Sequence, residues 1–198
     1  MGGDIKKVEE KIKEIKELSE KIHNNIIKYF YKYSPKIDKN AWEKIKKNEP
    51  NSAKQIENNV YYLLPQIESY TLSKDVKKHD PGAYKSVEIA TNNLKKIKAW
   101  CDADYINYSL QGEAWRKIFR FFSEPYEKSV PKFVRNEKDK AITISNEVDR
   151  LLKKLENYLK DKYIKKEDPH AYMVVSNLYK NTKGLNKLLE KELKKLEK

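Results

Sequence analysis

Apolar side chains recur along this chain at intervals of three and four, the spacing that puts one oily stripe on an α-helical cylinder. Ile5, Val8, Ile12, Ile15, Leu18, Ile22, Ile26, Tyr29 and Tyr33 form such a stripe, which predicts a helix over 4–33 with Asp4 as its N-cap. Ser34-Pro35 ends it, because a residue before proline avoids the helical region. Asp38 caps a short helix holding Ala41, Trp42 and Ile45, which stops near Pro50. A third stripe, Ile56 to Thr71, predicts one helix over 51–78, kinked where Pro65 sits inside it.

Asp80-Pro81 opens the next helix, the carboxylate capping free N–H groups and proline filling the first position, where no N–H is needed. Val87, Ala90, Leu94, Ile97, Cys101, Tyr105 and Tyr108 carry it to an expected stop at Gln111-Gly112. Two more long helices follow, over 140–165 and from Pro169 to near the C-terminus.

The pattern occurs twice. Val60–Val87 aligns without a gap on Val148–Val175, 88 positions later, with 13 of 28 residues identical. The shared Leu-Leu pair, Asp-Pro and Ala-Tyr matter more than the shared lysines, which a Lys-rich chain gives cheaply. Ala114–Ile118 resembles Ala41–Ile45, and on that match the second copy carries 15 extra residues. The expected fold is therefore all-α: a tandem duplication of a long-short-long three-helix unit plus a closing C-terminal helix, about seven helices in a bundle or short solenoid. It would be a single domain, with pseudo-repeats over about 38–109 and 113–198 and the helix 4–33 packed on them.

Composition sharpens this picture only in places. Five glycines and seven prolines in 198 residues suit long helices with short connections. The formal charge is +13, but 39 of the 43 basic residues are lysine, whereas dedicated phosphate readers favour arginine's bidentate fork. Such a Lys/Glu-rich surface with three glutamines resembles hyperthermophile composition, and a low-GC genome gives the same bias. The single Cys101 excludes a disulfide framework, and no run approaches a membrane span, so a cytoplasmic protein without membrane contact is expected.

Catalytic, cofactor and metal sites find no support. His23, His79 and His170 are scattered, and read as exposed or capping residues. Cys101 falls on an apolar stripe, with Asp102 and Asp104 on its flank, two apart and so not facing each other. There is no Gly-rich phosphate loop and no nucleophile motif. Tyr29, Tyr61, Tyr62, Tyr70, Tyr84, Tyr158 and Tyr172 lie on or beside stripes and read as core.

One stretch stands out. Between 115 and 140 the cations Arg116, Lys117, Arg120, Lys128, Lys132 and Arg135 interleave with the aromatics Trp115, Phe119, Phe121 and Phe122. Cations neutralise phosphates and aromatics offer stacking faces, which points to a non-enzymatic protein binding a polyanion, nucleic acid foremost. Aromatics with arginine equally mark protein interfaces, so the alternative is an assembly module using this stretch and the N-terminal helix. A plainer account has Phe119 and Phe122 closing one end of the bundle.

Overall fold

The computed structural model describes residues 2–197, and among them it is all-helical, with nine helices and no strands. Helix α1 spans 2–31, an α-helix over Gly2–Ile22 and Lys28–Tyr31 joined through a π-turn at His23–Ile27. Short α2 (Lys39–Asn48) leads through one residue, Glu49, into α3 (Pro50–Glu68), which tightens into a 3-10 turn at Ser69–Leu72. Six-residue α4 (Lys74–His79) precedes α5, which runs 81–117 as Pro81–Tyr105, a second π-turn at Ile106–Leu110, and Gln111–Lys117. After a 3-10 turn at Phe119–Phe121 come α6 (Tyr126–Asn136), α7 (Lys138–Lys160), α8 (Lys162–Glu167) and α9 (Pro169–Lys195).

The chain divides into two compact units, Met1–Cys101 and Asp102–Lys198. In the first, α1 packs on α3 and α4, and the core gathers Ile15, Ile22, Ile26, Ile56, Val60, Ile67, Val87 and Ile97. Phe30 is its hub: fully buried, its ring lies 6.2 Å from Trp42 and 6.1 Å from Trp100. Polar ties close the rim, with Lys11 bridging to Asp75 at 2.6 Å and the Tyr70 hydroxyl donating to Glu14. In the second unit α9 is the central element, packed along α7 and against α6, α8 and the π-turn of α5.

Both Asp-Pro caps form as the sequence indicates. The Asp80 and Asp168 carboxylates accept from the Ala83 and Ala171 amides, each at 2.9 Å. Asp38 likewise caps α2, accepting from the Ala41 amide at 2.8 Å.

Elsewhere the structure departs from expectation. Asp4 caps nothing, because α1 already begins at Gly2. The helices expected over 51–78 and 140–165 each break, at Ser73 and Asp161, 88 residues apart, so that α4 and α8 are separate short helices. Val76 and Ile164 explain why: each is fully buried and anchors its six-residue helix to a core. Such helices are too short to persist without tertiary packing.

Gly112 does not stop α5, since Ile106, Leu110 and Ala114 keep an apolar stripe running past it. Glycine within a helix costs about 1 kcal/mol relative to alanine, which that burial outweighs. The π-turns insert an extra residue and rotate the stripe. They bring Ile27 and Phe30 inside and turn Tyr108 out to 84% exposure. Tyr61 and Tyr62 also face outward rather than into the core, whereas Tyr29, Tyr70, Tyr84, Tyr158 and Tyr172 are half-buried. Asp102 is buried instead of lying on a flank.

Ala114–Lys117 form the last turn of α5, with Ile118 just beyond it. The helix that leads into α7 through one residue, as α2 leads into α3, is α6, and its link, Glu137, is 88 positions beyond Glu49. Ala53 and Ile56 lie 88 positions before Ala141 and Ile144, and all four are buried.

Candidate polyanion-binding site

The stretch 115–140 separates into buried and exposed halves. Phe119 and Phe122 are buried, at 8% and 5% exposure, with Phe119 6.3 Å from Tyr126 and Phe122 edge-on to Phe133 at 5.0 Å. Buried in this way, they offer no stacking face, contrary to the expectation that placed them in the binding set. On α6, Val130 and Val134 point inward, which leaves Lys128, Lys132 and Arg135 on the opposite face at spacings of four and three.

Half-buried Phe121 is where charge and ring meet. The Arg120 guanidinium lies 4.8 Å and the Lys140 ammonium 5.0 Å from its centroid, with Phe133 tilted beside it at 6.2 Å. A cation over an aromatic face gains about 0.5–1 kcal/mol at an exposed site, enough to orient two long side chains. Phe121 and Phe133 line a groove of about 480 Å³ together with Lys128, Lys132, Ser129, Asn136, Glu124 and Glu137. Lys140 spans 3.0 Å to Glu137.

Arg116, Arg120, Lys128, Lys132 and Arg135 make no ion pair with any described residue, although Arg135 turns back to donate to the Pro131 carbonyl at 3.3 Å. Lys117 is committed, bound to Glu113 at 2.8 Å. Trp115 is 58% exposed on α5. Of the ten residues singled out in the sequence, the groove gathers Phe121, Lys128 and Lys132, with Arg120 on its ring; the other six lie outside its lining. Lys140 and Phe133 join them.

A second polar cluster is not evident in the sequence. Tyr105 donates to Glu113 and accepts from Lys154 at 2.6 Å, while Lys154 and Lys117 both bridge to Glu113. The Lys117 and Tyr105 hydrogen bonds hold the Glu113 carboxyl down at about 2. Burial, then the Glu113 bond, pushes the Tyr105 phenol up to about 12. Tyr158 rises through burial and the nearby Asp102 charge. A cavity of about 240 Å³ beside these groups is lined by Glu113, Lys117, Glu147, Arg150 and Lys154 over Leu110 and Ile118. At neutral pH Glu113 is ionised and Tyr105 protonated, and the cluster ties α5 to α7.

No protein family, curated protein or solved structure matches the chain. Among the described residues no group of three or more His, Cys, Asp and Glu side chains could hold a metal ion. No described helix is long and apolar enough to cross a membrane.

Proposed function

We propose that this protein is a non-enzymatic, cytoplasmic nucleic-acid binder that grips its ligand at the groove of α6. The observation that carries the reading is Phe121, flanked by Arg120 and Lys140, lining a groove whose Lys128 and Lys132 have no carboxylate partner. Unpaired cations on a scaffold supply the sequence-independent electrostatic attraction that dominates nucleic-acid affinity. The net charge of +13 adds long-range steering.

Titrating a labelled single strand and a duplex by fluorescence anisotropy at several salt concentrations tests the reading. Arg120, Lys128 and Lys132 neutralising three phosphates give a slope of log affinity against log salt of about −2.7 on duplex and about −2.1 on a single strand. Arg120→Glu with Lys132→Glu removes binding and leaves the helical signal intact. Absent or salt-insensitive binding refutes it.

Exposed Tyr108 and Trp115 on α5 favour a second reading, a protein contact on that helix. Under it Trp115→Ala abolishes a complex that high salt leaves intact. The architecture we propose is a tandem duplication with a period of 88 residues, supported by matching links, short helices and Asp-Pro starts.

A further inference from the structure

Given the polyanion reading, on which this rests, we infer that the corner around Phe121 grips phosphate groups rather than stacked bases, and that the first unit carries the same corner in a neutralised form. Two observations converge on this.

The first is what already surrounds the ring. Phe121 has two cations within 5.0 Å of its centroid and Phe133 beside it, so its π-face orients charge and is not free for a base. Lys128 and Lys132 continue the row one helical turn apart, about 6 Å along the axis, which suits a run of charges better than one ion. A guanidinium fork offers two parallel N–H bonds to a phosphate's oxygens.

The second observation is the counterpart 88 residues earlier. There Glu49, the one-residue link between α2 and α3, collects Lys32 at 3.1 Å, the Tyr33 hydroxyl at 2.8 Å and Ser52 at 3.2 Å. At the equivalent places in the second unit stand Glu137, Arg120, Phe121 and Lys140. Replacing the tyrosine by phenylalanine removes a donor, and replacing the serine by lysine brings a second cation that takes over the carboxylate at 3.0 Å. Arg120 therefore makes no contact with Glu137 like the one its counterpart Lys32 makes with Glu49. Among the described residues of these two corners, Arg120 is the cation with no carboxylate partner, whereas Lys32 is bound to Glu49.

The experiment uses the full chain and three probes: a labelled oligonucleotide, its abasic counterpart of equal length, and unlabelled tripolyphosphate. Normal and abasic strands are expected to bind within threefold of each other, and tripolyphosphate to displace both. Phe121→Tyr with Lys140→Ser, which writes the first unit's residues into the second, should weaken binding at least tenfold. Lys32→Arg, Tyr33→Phe and Ser52→Lys together should raise the stoichiometry from one site to two. Arg120→Gln, an exposed single change, repeats the loss if the double variant does not fold. An abasic strand binding more than tenfold weaker overturns the phosphate assignment and leaves the polyanion reading standing. Displacement by poly-glutamate in preference to tripolyphosphate assigns the groove to an acidic protein and also overturns it, as does a stoichiometry that stays at one. Failure of every probe to bind overturns the polyanion reading itself.

Discussion

Replacing Asp168 by alanine should destabilise the protein more than the same change at Asp80, although both cap a helix with the same bond. Each carboxylate accepts from the amide three residues on at 2.9 Å. Losing an aspartate N-cap typically costs about 1 kcal/mol, within about 0.5–2. The surroundings set the difference. Asp168 is 9% exposed and Ala171 fully buried, whereas Asp80 and Ala83 are only half-buried. Water reaches the orphaned Ala83 amide but not the Ala171 amide, and an unsatisfied buried donor costs about 1–3 kcal/mol.

The expected losses are therefore about 1 kcal/mol for Asp80→Ala and about 2 for Asp168→Ala. At about 2–4 °C per kcal/mol for a chain of this size, the shifts are about 2–4 °C and about 4–8 °C. Thermal melts followed by far-ultraviolet circular dichroism read them directly, and two resolved transitions would assign each shift to its own unit. Asp168→Asn separates the hydrogen bond from the charge, since asparagine caps equally well. An Asp80→Ala loss equal to or above that of Asp168→Ala, or an Asn variant as damaged as the Ala variant, refutes the burial argument.

Other consequences are as direct. Ile164→Ala empties a fully buried position in six-residue α8 and should cost about 2–5 kcal/mol in denaturant titrations. Glu113 is held at about 2, below the ordinary carboxylate value of 4.5, so its stabilisation is complete above 4.5 and fades as pH falls toward 2. Urea midpoints should drop between about pH 5 and about pH 2, and Glu113→Gln should flatten that drop. Trp42 and Trp100 are buried and Trp115 is not, so Trp115→Phe should remove the fluorescence that acrylamide quenches.

Local chemistry made much of the fold legible. The Asp-Pro starts, the Asp38 cap and the stripes through Val60 and Val148 are written in adjacent residues, and each forms. The breaks at Ser73 and Asp161 also had a signal, because both are capping types; the Asp161 side chain accepts from the Tyr163 amide at 2.8 Å. The long apolar runs on either side masked it. The π-turns had none, since spacings of three and four persist through them while the face rotates. Phe119 and Phe122, singled out as stacking faces, are instead buried. The Lys140–Phe121 contact did not read, as it joins residues 19 positions apart that only the fold between them brings together. The Tyr105, Glu113 and Lys154 cluster was hidden for the same reason, drawing on both α5 and α7.

Helix α5 has a practical consequence for anyone wishing to cut this protein. The boundary between units falls between Cys101 and Asp102, inside an unbroken helix, with no linker to sever. A nick there would leave each fragment with a frayed, half-length strut. Fragments sharing the whole rod, 1–117 and 81–198, are the pieces to express.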